Sequence, residues 1–229
     1  MLLDLSESLA CPRCGPPRGL VVLVDRMEGR RVRDGRLDCP GCENRFPLRD
    51  GVIRFDLAGA GPPSPASAAG GPEEGPAGRE EGATTRPAGD PDAEDAVVAA
   101  ALLGIRHGRG VLVAGPGFAP AAKLSRLCGG CEVVRVVAPE ESPAAVRSQD
   151  AVTPLVGVAA GSLPLLSGRA LGVVLVGGSP AEAGEAARVL VPGGRLVVLR
   201  PVAGALEGPG GPAFEPVAAD PRALVARRR

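Results

Sequence analysis

The sequence predicts an α/β protein in two folded parts: a small cysteine-bearing module and a larger doubly wound, Rossmann-like parallel sheet. Three observations carry this prediction. Residues 1–57 hold two Cys-x-x-Cys pairs, residues 58–95 contain no Val, Leu, Ile, Met or Phe, and residues 96–200 alternate short apolar runs with helical segments. Continuous apolar strands separated by helices are typical of a parallel sheet that is covered on both faces.

The four cysteines of the first module predict a structural metal site. They are Cys11, Cys14, Cys39 and Cys42, with 24 residues between the two pairs. Two Cys-x-x-Cys turns brought together give four thiolates in a tetrahedron, which is the closed geometry of structural zinc. The alternative is disulfides or free thiols. We expect the metal to organise a segment that is too small to fold on an apolar core alone.

Composition and charge exclude some classes of protein. The 26 basic and 26 acidic residues cancel, and the chain has no Trp and no Tyr. Strong nucleic-acid binding is therefore not expected, because the net charge is zero and four Phe are nearly all that the chain offers for base stacking. No apolar run approaches 18 residues and no secretory signal is visible, so we expect no membrane span and a cytoplasmic location. Such a location favours metal thiolates over disulfides.

Two segments are predicted to lack fixed structure. Residues 58–95 form a disordered linker rich in Gly, Pro and Ala, because they cannot bury enough apolar surface to offset their ordering entropy. Residues 201–229 are predicted to be a flexible tail, since they lack a convincing strand pattern.

The region between these segments predicts five strands and several helices. A short buried run followed by Gly-Pro-Gly, at Val111 to Gly117, indicates a strand and a tight turn. The expected strands cover residues 111–114, 132–137, 155–159, 171–176 and 195–199, and the expected helices cover 93–106, 118–127, 143–148 and 181–190.

The first module resembles a known family. Its Leu-rich start at residues 2–5, its two Cys-Pro-x-Cys turns and the Phe-Pro-Leu-Arg-Asp-Gly-Val stretch at residues 46–52 resemble the zinc-ribbon family of the methyltransferase activator subunit and its short bacterial relatives. Asp50-Gly51 also predicts a turn between two short strands. The resemblance implies a module that adds a strand to the sheet of a methyltransferase, either another chain or this chain's own second domain.

The second module resembles class I S-adenosylmethionine-dependent methyltransferases. The resemblance lies in the run from Glu185 to Val198, which includes Pro192-Gly193-Gly194, and in the loop that contains Leu163-Pro164-Leu165. It implies a truncated version of that fold, because the last two strands are not evident after Pro201. It also implies that a cofactor would be held by backbone groups of Gly115 and Gly117 and by the stretch that contains Ser162 and Leu163.

Side chains expected of an active enzyme are missing from this pattern. The resemblance implies acids where Val113, Val137, Ala159 and Gly172 stand, and the neighbouring Glu140 and Glu141 are the available substitutes. No residue is predicted to be catalytic. His107 precedes the first strand and is interpreted as a surface histidine. Cys128 and Cys131 are interpreted as a turn at a helix end, with a redox pair as the alternative.

Three hypotheses about function follow. The favoured one is a zinc-binding scaffold or regulator, in which a ribbon module is fused to a methyltransferase-like domain with a degenerate cofactor site. The second is an active S-adenosylmethionine-dependent methyltransferase that acts on RNA or on a small molecule. The third is an interaction protein that uses the ribbon and the linker, with the second domain as a dimerisation unit.

Overall fold

The computed structural model describes residues 1–56, 91–105, 110–138, 141, 146–149, 151–207 and 213–229. The predicted linker up to residue 90, His107, Glu140 and the first half of the predicted helix 143–148 lie outside the described residues, and residues 146–148 are not helical. Helix α1 spans Pro91–Leu103, so the prediction that the linker continues to residue 95 is wrong. A proline is favoured at the first position of a helix, because its missing N–H would have no partner there.

No helix in the described part of the chain is long and apolar enough to cross a bilayer.

The first module is a four-stranded antiparallel ribbon. A short 3-10 helix at Leu3–Ser8 precedes strands β1 (Val21–Glu28), β2 (Arg31–Asp38), β3 (Arg45–Arg49) and β4 (Val52–Arg54). The turn between β3 and β4 falls on Asp50 and Gly51, as predicted, and both residues have positive φ. Phe46 and Phe55 are buried, and their rings meet edge to face with centroids 5.0 Å apart.

The described residues of the second module form seven strands and three helices. Strands β5 (Val111–Ala114), β6 (Glu132–Val136), β8 (Ala170–Val176) and β9 (Leu190–Leu199) confirm four of the predicted strands, and β9 is longer than expected. The third predicted strand is displaced: β7 covers Val152–Val156, because Gly157 with φ of +72° ends it. Helices α2 (Ala121–Leu127) and α3 (Pro180–Val189) confirm the helices predicted at 118–127 and 181–190, and α2 begins later than expected.

The eleven strands in the described part of the chain form one sheet. Their order is β1-β2-β3-β4-β7-β6-β5-β8-β9-β11-β10, and β4 pairs in parallel with β7 through Ile53 opposite Leu155 and Arg54 opposite Val156. The ribbon therefore extends the sheet of its own second module. The two modules also share one apolar core, in which Phe46 and Ile53 of the ribbon lie in the same cluster as Leu155 and Leu165.

The predictions of a flexible tail and of a truncated sheet are wrong. Strands β10 (Phe214–Ala219) and β11 (Ala223–Arg228) form an antiparallel hairpin, and β11 pairs antiparallel with β9. Counted within the second module, the strand order is 3-2-1-4-5-7-6, with the antiparallel last strand inserted next to the fifth. The two end strands that the sequence was predicted to lack are therefore present. The sequence of the tail gives a weak strand signal because its strands are short and one of them contains Pro216. This proline lies on the edge strand, where the missing backbone N–H is tolerated.

Candidate metal centre and cofactor cleft

The four cysteines of the ribbon converge on one point. The Sγ atoms of Cys11, Cys14, Cys39 and Cys42 all lie within 4.8 Å of one another, and the pairs Cys11–Cys42 and Cys14–Cys39 are each 3.7 Å apart. A tetrahedron of Zn–S bonds of about 2.3 Å has S–S edges of roughly 3.8 Å. The spacing therefore fits a four-coordinate cation of zinc's size, and it is too long for a disulfide.

Backbone and side-chain N–H groups point at the sulfur atoms. The N–H of Cys14 donates to Sγ of Cys11, that of Gly41 donates to Sγ of Cys39, and the Asn44 side chain donates to Sγ of Cys42 at 3.1 Å. These donors favour thiolates. The backbone N–H of Asn44 and the neighbouring thiols lower the pKa of Cys42 to about 6 despite burial. Hydrogen bonding to Cys42 raises the pKa of Cys14 to about 12, so a bound cation would have to displace protons.

A cleft lies at the carboxyl ends of β5, β6 and β7. It is lined by Pro116 after β5, Val137 after β6, residues 158–163 after β7, and Ser179 and Glu182 at the start of α3. In open α/β sheets ligands bind outside the carboxyl ends of the strands, at the point where the strand order reverses. The cavity measures about 250 Å³, below the roughly 300–1,000 Å³ of most small-molecule sites.

Two of the four positions where acids were expected reach this cleft. Val137 and Ala159 line it, whereas Val113 and Gly172 are buried within the sheet. A Cβ at Gly172 would lie 2.6 Å from a methyl group of Leu103 on α1, so that position has no room for a carboxylate. Among the described lining residues Glu182 is the one carboxylate. It is committed to the capping box of α3, where it accepts hydrogen bonds from the N–H and hydroxyl of Ser179.

The four residues predicted to hold a cofactor fall into two groups. Ser162 and Leu163 line the cleft, and Gly115 and Gly117 flank Pro116 in the turn after β5. The N–H of Gly115 donates to the carbonyl of Val174, and the N–H of Leu163 donates to the carboxylate of Glu185. Backbone donors at these two positions are therefore already used inside the protein. Cofactor binding by these residues stays a prediction.

The loop between β7 and β8 joins the cleft to the metal centre. Residues 161–163 line the cleft, and residues 161–164 also line a second cavity of about 300 Å³ together with Cys11, Pro12 and Arg188. The N–H of Ala10, next to Cys11, donates to the carbonyl of Pro164 at 2.9 Å. One short loop therefore separates the metal ligands from the cleft.

Sequence reasoning missed the charged residues that hold this region together. Glu185 and Arg188 on α3 bind each other and the loop, and Arg31 of β2 pairs with Glu132 of β6 across the junction of the modules. Burial of Glu185 raises its pKa, but hydrogen bonds from Arg188 and from the Leu163 N–H outweigh this and hold the pKa below its usual value. The i,i+3 spacing of Glu185 and Arg188 was a usable signal. Arg31 and Glu132 are far apart in sequence and gave none.

The two remaining cysteines are separate from the metal centre. Cys128 ends α2 and Cys131 precedes β6, with Gly129 and Gly130 in the turn between them, as the helix-end interpretation predicted. Both are buried, and burial raises the pKa of both thiols, that of Cys128 to about 11. Such inaccessible, protonated thiols do not favour redox chemistry.

No protein-family model matches the chain, and no curated protein matches it. Solved structures do. One is an O-methyltransferase from Thermotoga maritima, which is 16% identical and superposes with a TM-score of 0.45. The match covers 59% of this chain and 64% of the chain of that methyltransferase. A Burkholderia thailandensis 1,6-didemethyltoxoflavin-N1-methyltransferase is 18% identical, with a TM-score of 0.42 and coverage of 60% and 80%. A Haloferax volcanii complex of the Trm112 methyltransferase activator with a methyltransferase gives 22% identity, a TM-score of 0.35 and coverage of 45% and 50%.

Proposed function

We propose that this protein is a zinc-binding scaffold or regulator, in which a zinc ribbon is docked in cis on a methyltransferase-like domain that has lost methyl transfer. The observation that carries the proposal is the chemistry of the cleft. Its described lining residues include no carboxylate that is free for a ligand, because Glu182 caps α3. S-adenosylmethionine carries a sulfonium cation and a ribose diol, both of which carboxylates would stabilise.

The metal has a structural role in this proposal. Four thiolates fill the coordination sphere of zinc and leave no open position for water or substrate. Cys11 and Cys39 are buried, and Cys11 adjoins the backbone that contacts the second module. When bound, the zinc would fix the two Cys-x-x-Cys turns and, through them, the docking edge of the ribbon.

The partner of the ribbon in this proposal is the chain's own second module. β4 already occupies the free edge of β7, which is the edge that a separate ribbon or methyltransferase would need. The shared core and the Arg31–Glu132 ion pair support docking on this chain's own second module, because a methyltransferase of different sequence would not supply these partners. In analytical ultracentrifugation over a dilution series, we expect no second subunit to be bound to the chain through this edge.

Calorimetric titration tests the proposal. The zinc-loaded full chain is titrated with S-adenosylmethionine and with S-adenosylhomocysteine, and we expect no heat of binding up to millimolar ligand. Zinc content measured on the same sample by inductively coupled plasma analysis should be about one atom per chain, as one four-cysteine site requires. Micromolar binding of either ligand would refute the loss of the cofactor site.

The second candidate is an active S-adenosylmethionine-dependent methyltransferase acting on RNA or a small molecule. The complete strand order favours it, since the pair of end strands that an active enzyme of this fold carries is present. The cleft also lies where ligands bind in this class of sheet. Transfer of a radiolabelled methyl group to bulk RNA or to a small-molecule extract would establish this function, and the calorimetric titration would then show binding.

A further inference from the structure

The loop from Gly161 to Leu166 is held from two opposite sides. On one side it meets the ribbon: the Ala10 N–H donates to the carbonyl of Pro164 at 2.9 Å, and the Leu166 N–H donates to the carbonyl of Ser8 at 2.8 Å. Leu9 and Leu165 form the antiparallel bridge between these contacts. This two-residue ladder ends one position before Cys11, so its geometry depends on how the first metal turn is folded.

On the other side the loop meets α3. Arg188 donates from Nη1 to the carbonyl of Leu165 at 2.6 Å and from Nη2 to the carbonyl of Leu163 at 2.7 Å. Glu185 accepts from the N–H of Leu163 at 3.1 Å, and it also accepts from Nε and Nη2 of Arg188. Hydrogen bonds in which one group is ionised are about twice as strong as neutral ones, so this pair forms a firm attachment.

We propose that Glu185 and Arg188 are positioning residues that couple metal occupancy of the ribbon to the shape of the cleft. This inference rests on the proposed role of the ribbon as a cis module. Without metal the first Cys-x-x-Cys turn loses its fixed geometry, and the loop loses the contacts to Ser8 and Ala10. Glu185 and Arg188 then hold the loop from α3 alone, and Ser162 and Leu163 no longer form a fixed wall of the cleft.

Coupling of this kind is reciprocal. If zinc orders the loop, then an ordered loop must strengthen zinc binding by the same factor. The proposal can therefore be tested by two independent measurements, one on the loop and one on zinc binding. Neither measurement requires S-adenosylmethionine or methyl transfer, so each can be made whether or not the cleft binds a cofactor.

The first measurement is amide hydrogen exchange on the full chain, with zinc bound and after chelation. We expect the amides of Leu163 and Leu166 to exchange about tenfold faster without zinc, which corresponds to a free energy of local opening about 1.4 kcal/mol lower. Amides within β8 and β9 serve as the internal reference, because both strands lie inside the sheet away from the ribbon. Unchanged exchange in the loop, with faster exchange in β1 and β2, would overturn the proposal.

The second measurement is zinc affinity by competition with a chromophoric chelator. We expect Arg188→Gln to weaken zinc binding about tenfold, within the 5–150-fold range that is typical of coupled sites, and Glu185→Gln to weaken it less. Arg200→Gln is the matched control, because Arg200 forms an exposed ion pair with Asp95 at the far side of the sheet. If chelation unfolds the whole chain, the measurement of zinc affinity still tests the coupling.

The outcomes separate this inference from the proposed function. Suppose that both α3 variants bind zinc as tightly as the wild type although their loop amides exchange faster. This result would refute the coupling and would leave the scaffold proposal unchanged. Conversely, cofactor binding in the calorimeter would refute the degenerate site and leave the coupling intact. Loss of zinc affinity in the Arg200 control would show that the effect is unspecific, and would overturn the coupling.

Discussion

Arg31 on β2 of the ribbon and Glu132 on β6 of the second module form an ion pair of 2.8 Å across the junction of the two modules. Their side chains are 15% and 4% exposed, and Glu132 also accepts a hydrogen bond from the hydroxyl of Thr153 at 2.6 Å. The pair ties the first module to the second at a place separate from β4 and from the loop contacts of Ser8 and Ala10, where backbone hydrogen bonds join the two modules.

Removing one partner of this pair should be costly. Arg31→Met leaves the Glu132 carboxylate buried without its cation, and breaking a buried pair in this way costs about 3–5 kcal/mol. We expect the free energy of unfolding in urea to fall by about 3 kcal/mol, near the low end of that range, because Arg31 is partly exposed. The double variant Arg31→Met/Glu132→Gln should recover part of this loss. The matched control is Arg227→Met, whose pair with Glu215 is half exposed and should be worth less than about 1 kcal/mol.

The metal centre should depend on its own four cysteines and on no others. Cys39→Ser removes a buried ligand, and we expect zinc content to fall from about one per chain to well below one, since structural zinc sites need all four ligands. Cys128→Ala is the control, because Cys128 is also buried but lies on α2 outside the cluster. Equal loss of zinc in both variants, measured by plasma emission, would contradict the assignment of the ligands.

Gly172 should resist any side chain. Gly172→Ala places a Cβ 2.6 Å from Leu103 on α1, and overpacking of this kind typically costs about 1–3 kcal/mol. Adding Leu103→Ala should relieve the clash, so the double variant should be more stable than the sum of the two single losses. Strict additivity in chemical denaturation would show that the two side chains do not meet.

Acid should weaken the attachment of the loop. The pKa of Glu185 in the folded protein lies below its ordinary value of 4.5, so the folded state binds this proton less readily than the unfolded state. The stabilisation is therefore fully present above about pH 5 and is lost as the pH falls below 4.5 through the folded pKa. The difference in unfolding free energy between wild type and Glu185→Gln should shrink from pH 6 to pH 3.5. A difference that stays constant over this range would exclude an ionised Glu185 from the loop contacts.

The hairpin of β10 and β11 should be integral to the fold. Val225 on β11 is 3% exposed and lies opposite Val197 of β9, whereas Val217 on β10 is 54% exposed. Val225→Asp buries an unpaired carboxylate and should unfold the chain or cost at least several kcal/mol, while Val217→Asp should cost less than about 1 kcal/mol. Circular dichroism during heating distinguishes the two variants. Equal melting temperatures would mean that the tail is not part of the sheet.

Local patterns were sufficient for most of the second module. Strands β5, β6 and β8 are continuous apolar runs bounded by turn residues, and α3 begins with a capping box that is readable as Ser179-Pro-Ala-Glu182. The Pro192-Gly193-Gly194 stretch lies before the predicted strand 195–199, and in the structure it forms an irregularity inside β9, between the pairs of Leu190 and Arg195. Its neighbours in the sheet, rather than its own propensity, keep the strand continuous.

The four cysteines, the resemblance of each module and the α/β class were determined by the sequence alone, because each depends on residues that are close together in the chain. Tertiary structure decided the rest. The hairpin of β10 and β11 exists because β9 offers it an edge to pair with, and β4 joins β7 although about a hundred residues separate Ile53 from Leu155. The ion pair of Arg31 with Glu132 and the hydrogen bonds from Arg188 to the loop between β7 and β8 likewise depend on where distant segments meet. Contacts of that range leave no periodicity in the sequence, since their partners are chosen by the packed sheet.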